Sequence, residues 1–112
     1  SGRQGAVIQQ AKLELTKMEN TIQYAQRAIR IQFTNAINNL NTKNANYGNA
    51  KKNLQIAEKI FERTQLKYQE GLSSSFELSQ MKNQVLESQG KYIQSLFDVL
   101  NVKAELDKLQ NN

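Results

Sequence analysis

The sequence predicts an all-α fold, a long antiparallel coiled-coil hairpin, on three observations. No proline occurs in the 112 residues, so the residue that most reliably ends a helix is missing. No run of alternating Val, Ile, Thr and aromatic residues lasts four positions, which leaves nothing that reads as a strand. Apolar residues instead return in steps of four and three, the spacing of a coiled-coil seam.

The first helix is expected over about residues 5–69. Its opening seam is Ala11, Leu15, Met18, Ile22, Ala25 and Ile29, in strict four-three alternation. Further on, Leu40, Tyr47, Leu54, Phe61 and Tyr68 lie seven apart, with Ala50, Ala57 and Thr64 between them. The two registers join through Ile29, Phe33, Ile37 and Leu40, one extra step of four, which unwinds a supercoil locally without breaking it. At 1.5 Å per residue such a helix would be roughly 100 Å long. The weak stretch is 38–49, where Asn38, Asn39, Asn41, Asn44, Asn46 and Asn49 gather around Gly48. Each costs up to about 1 kcal/mol of helix propensity relative to Ala, so 38–49 is the candidate site of a break.

A tip follows at 70–75, reading Glu70, Gly71, Leu72, Ser73, Ser74, Ser75. Gly71 suits the left-handed residue that closes a helix. The three serines offer hydroxyls to cap the next one, and Ser74 with Glu77 has capping-box spacing. A connection this short forces the helices antiparallel.

The second helix is expected over about 76–109. Its seam is Leu78, Met81, Val85, Ser88, Tyr92, Ser95, Val99, Val102, Leu106 and Leu109. A second stripe, offset around the same helix, is Leu86, Gly90, Ile93, Phe97, Leu100 and Ala104. One seam suffices for a hairpin; two imply neighbours on both sides, as in a bundle or closed ring. The second helix is also much shorter than the first, so the seam from Ala11 to Leu40 has no partner within the chain. That bare seam, together with an opening Ser1 in place of Met, leads us to expect a piece of a larger protein.

Composition narrows the function. The chain has no Cys and no His, which excludes disulfides, thiolate metal sites and the usual general base. No phosphate-cradling glycine loop is present and the carboxylates are scattered, so no catalytic, cofactor or metal site is expected, and an enzyme is not. Net charge is +5, but the basic residues form no continuous stripe, which argues against nucleic acid. No apolar run approaches the roughly 18 residues that span a bilayer, and residues 1–15 contain no signal-peptide core.

The residues around the tip carry a resemblance. Ala57, Glu58 and Phe61, then Tyr68 through Leu78, then Gln84 and the stretch Tyr92 to Leu96, resemble the TolC-type outer-membrane efflux protein family. Its members have a similar Tyr-x-x-Gly-x-x-Ser-x-x-acidic-Leu turn after a long helix. The ending from Val102 to Leu109 is similar too. The opening of Gly2, Arg3 and Gln4, then Ile8 to Ala11, looks like the start of the long helix after the last membrane strand. The likeness covers essentially the whole chain, matching the second half of the second structural repeat.

That resemblance implies a homotrimeric parent, embedded in the outer membrane as a β-barrel and continued across the periplasm as an α-helical barrel containing this segment. It implies a tripartite pump exporting small molecules, with a periplasmic adaptor (membrane fusion) protein and an inner-membrane transporter as partners. Gly71, Leu72 and Ser73 match the adaptor-docking tip, and Tyr68 and Glu77 match positions that narrow the entrance. Some members carry Arg in place of Ser73 and aspartates in place of Glu77 and Gln80, so their ionic gate does not carry over whole. No cofactor is implied.

Quieter readings stand beside these. Gly71 caps a helix whatever the function, and Leu72 could tuck against the first helix as the apolar partner of a Schellman turn. Tyr68 falls on the seam, and Glu77 suits a helix N-terminus electrostatically. A structural oligomerisation coiled coil, or an adaptor-type hairpin without a channel role, is the alternative function.

Overall fold

A computed structural model describes residues 2–111 and consists of two helices, α1 (Gly2–Gln69) and α2 (Ser75–Asn111), with no strand among the described residues. Helix α1 runs unbroken through 38–49, so the candidate break is not realised. The asparagines there lie off the seam, while Leu40, Tyr47 and Ala50 in the same stretch are half-buried. Packing of those three offsets a propensity deficit that is small per residue. Thr42 Oγ also donates to the Asn38 carbonyl at 3.1 Å, as Thr64 does to Ile60 at 2.8 Å. Such back-bonding is how a β-branched hydroxyl residue is accommodated inside a helix.

The fold divides after Asn35 into two compact units. The first is the opening stretch of α1, in which every described residue is exposed, its seam of Leu15, Met18, Ile22 and Ile29 included. Its helicity rests on local terms, such as the backbone ladder and the i,i+4 pair in which the Gln10 amide donates to the Glu14 carboxylate at 3.4 Å.

The second unit is the antiparallel hairpin. From α1 it buries or half-buries Ala36, Leu40, Lys43, Tyr47, Ala50, Leu54, Ala57, Phe61 and Thr64, an uninterrupted four-three series. The expected route through Ile37 is therefore corrected: Ala36 takes the seam and Ile37, about 100° further round the helix, is exposed. Lys43 completes the heptad where an apolar residue was not available; its long stem can pack while its ammonium reaches water. From α2 the seam is Leu78, Met81, Val85, Ser88, Tyr92, Ser95, Val99, Val102 and Leu106, as the spacing predicts, with Leu109 exposed at the end.

Small residues recur on both seams, Ala36, Ala50 and Ala57 on α1 and Ser88 and Ser95 on α2, and they let the two helices approach closely. The most buried cluster is Ala36, Val102 and Leu106, with Leu40 packed against it. Tyr47 stacks on Tyr92, and Lys82 Nζ sits 5.6 Å from the Phe61 ring centroid. These pairs fix the register of the hairpin over most of its length. Electrostatics adds little, since the one ion pair among the described residues is the exposed Lys91–Glu87 contact at 3.4 Å.

Candidate functional site: the hairpin tip

Both sides of the turn are tied by backbone bonds. The Leu72 N–H donates to the Lys67 carbonyl at 2.7 Å and the Gly71 N–H donates to the Tyr68 carbonyl at 3.1 Å. Together they make a Schellman closure, which requires a left-handed residue. Gly71 supplies it with φ of 76°. A side chain at that angle would cost about 1–2 kcal/mol.

Helix α2 starts from the other side. The Glu77 N–H donates to Ser74 Oγ at 3.1 Å and the Leu78 N–H to the Ser74 carbonyl, also at 3.1 Å. Ser74 is thus the N-cap. The reciprocal half of the capping box differs from expectation, because the Glu77 carboxylate accepts the Ser73 hydroxyl at 2.6 Å. A short O–H···O⁻ bond of that kind is charge-assisted and stronger than a neutral one.

Of the residues singled out from the sequence, Gly71, Leu72 and Ser73 form the turn itself, and Glu77 is bonded to Ser73. Tyr68 is drawn off the seam and is 45% exposed, so the core reading of that residue does not hold. Leu72 is 72% exposed, so it does not tuck against α1 as a Schellman partner. No hydrogen bond joins Tyr68 to Glu77 among the described residues.

Sequence reasoning missed Phe76, which is 68% exposed in the first turn of α2. The signal was available: Phe76 lies two positions before the first seam residue, Leu78, and so points away from the hairpin interface. The tip consequently presents two large apolar side chains on a turn whose backbone is held from both ends.

Two further surfaces belong to the hairpin. The second stripe of α2, with Leu86, Ile93, Phe97 and Leu100, is exposed. On one flank lies an open groove of about 590 Å³, lined by Asn46, Asn53, Gln84 and Lys91 together with the exposed Ile56 and Ile60. Asn39, Asn46 and Asn53 recur every seven residues, which is the pattern that foretells a polar flank there instead of a break. Compared with family models, curated proteins and solved structures, the chain finds no match.

Proposed function

We propose that this chain is part of the periplasmic α-barrel of a trimeric outer-membrane efflux channel, with its tip docking on an adaptor protein of a tripartite pump that exports small molecules. The observation that carries the reading is the tip. Its backbone is fixed by the Gly71 closure and the Ser74 cap, while Leu72 stays exposed within a turn that resembles the TolC type. A turn needed only to reverse the chain has no use for an exposed leucine and phenylalanine, whose exposure is unfavourable by roughly 25 cal/mol per Å². Gly71 leaves room for close backbone approach, since nothing lies within 4 Å of a Cβ placed there. The second apolar stripe on α2 supports the same reading, because a wall helix must touch a neighbour besides its hairpin partner.

The test is in-cell crosslinking of the full-length parent with a photoreactive amino acid in place of Ser73. The expected result is a crosslink to a periplasmic adaptor, lost on Leu72→Asp. Crosslinks only to other copies, or none, would reduce Gly71, Leu72 and Ser73 to a helix turn and leave a structural oligomerisation module.

A further inference from the structure

We infer that Tyr47 and Tyr92 form an oxidative crosslinking site, at which a one-electron oxidant joins the two helices of the hairpin as a dityrosine. The two rings come from opposite helices, stack with centroids 5.3 Å apart at an interplanar angle of 29°, and have hydroxyls 3.1 Å apart. The carbons that couple are those ortho to each hydroxyl. Each is bonded to the hydroxyl-bearing carbon, so a pair this close at both oxygen and ring centre brings ortho carbons near contact.

The chemistry balances. Each phenol loses one electron and one proton and becomes a phenoxyl whose spin is shared between oxygen and the ortho carbons. A carbon–carbon bond forms between two such ortho carbons, and the two hydrogens they carried move to the oxygens as the rings regain aromaticity. The net change is two electrons and two protons removed. A haem activated by hydrogen peroxide is one oxidant of the required class, and one peroxide then leaves as two waters.

Placement favours coupling within the pair. Both tyrosines are half-buried in the seam, whereas Tyr24 and Tyr68 are exposed and have no aromatic partner among the described residues. Two groups held in near-contact react as if at very high local concentration, so coupling outruns encounters between chains at low protein concentration. The chain has no Cys, Trp or His to intercept the oxidation, which leaves its two methionines as the competing sinks.

The experiment uses the full chain, dilute, with photo-excited ruthenium tris-bipyridyl and persulfate as the one-electron oxidant. Trypsin cuts after Lys43, Lys51, Lys91 and Lys103, so the product is peptide 44–51 joined to peptide 92–103, lighter than their sum by two hydrogens. We expect this to be the main crosslink, formed at least about tenfold more in the folded chain than in urea. It should vanish in Tyr47→Phe and in Tyr92→Phe, with far-UV circular dichroism confirming that each variant keeps its helices. Equal yield in urea would overturn the inference. So would crosslinks dominated by Tyr24 or Tyr68, or methionine oxidation with no joined peptide.

Discussion

Leucine-to-alanine substitution at two positions of α2 separates the hairpin seam from the second apolar stripe. Leu106 is 8% exposed and packs in the cluster with Ala36 and Val102, whereas Leu100 is 50% exposed on the other face. Full burial of a leucine side chain is worth about 1.5–3 kcal/mol, and truncation in a core costs about 2–5 kcal/mol. The hairpin interface is a single layer near the end of α2, where the helix can relax into the space left. Leu106→Ala should therefore fall at the low end, about 2 kcal/mol, a change of roughly thirtyfold in the unfolding constant. Leu100 already has half its surface in water, so Leu100→Ala should cost under about 1 kcal/mol. The gain in helix propensity on replacing Leu by Ala is the same at both sites and cancels in the comparison. Urea unfolding followed by far-UV circular dichroism, at low chain concentration and with an unchanged slope, reads both values. Equal losses at the two positions would refute the argument, because they would mean that the second face is covered within the chain itself. A Leu100→Ala effect that grows with chain concentration would instead assign that face to a second copy.

Other expectations follow from local geometry. Gly48→Ala should stabilise the hairpin by about 1 kcal/mol in the same urea experiment, since Gly48 is mid-helix and nothing lies within 4 Å of the added methyl. Ser74→Ala removes the acceptor for the Glu77 N–H and should cost about 1 kcal/mol, with Ser74→Asp largely restoring it. Alkaline pH should weaken the Tyr47–Tyr92 pair: its hydrogen bond, chiefly, raises the Tyr92 phenol above its usual value of 10.0. The neutral form is thus favoured in the fold, and the associated stability is present below about pH 10 and lost as pH climbs through the raised value. A urea midpoint that falls more steeply with alkaline pH in the native chain than in Tyr92→Phe would bear this out, and parallel profiles would contradict it.

The fold was legible because a coiled-coil hairpin writes its contacts as a period. From Leu78 to Leu106 every seam position named from spacing is buried or half-buried, and the end of α1 at Gln69 follows from Gly71. What spacing could not decide was which of two adjacent apolar residues enters the seam. Ala36 and Ile37 are both apolar; hydrophobicity favours Ile37, whereas the heptad continued back from Ala57, Ala50 and Lys43 selects Ala36. Propensity misled in a related way at 38–49, where the asparagines weaken the helix one residue at a time while the packed positions among them hold it together. At the tip the capping serine was readable, but the choice of Glu77 partner was not. The capping-box spacing points to the Ser74 N–H, whereas the Ser73 hydroxyl is the group that bonds the carboxylate. Phe76 carries no signal in the seam period itself, because it lies two positions before Leu78 and off the buried face.

The surfaces of the hairpin differ enough to constrain what it can be part of. Helix α2 carries its seam on one face and, about 140° round, a second stripe that includes Leu86, Ile93, Phe97 and Leu100. The groove flank mixes amides and Lys91 with the exposed side chains of Ile56 and Ile60. A hairpin that merely reverses a chain would keep its second face polar, since four large exposed apolar side chains invite nonspecific association. A unit of a closed ring needs the opposite: a covered face toward each neighbour and a wettable face toward water. This division of faces, read with the exposed Leu72 and Phe76 at the tip, is why the channel-wall proposal accounts for more of the chain than a dimerisation coil does. A dimerisation coil could bury the stripe against a second copy, but it would leave the exposed Leu72 and Phe76 at the tip without a purpose.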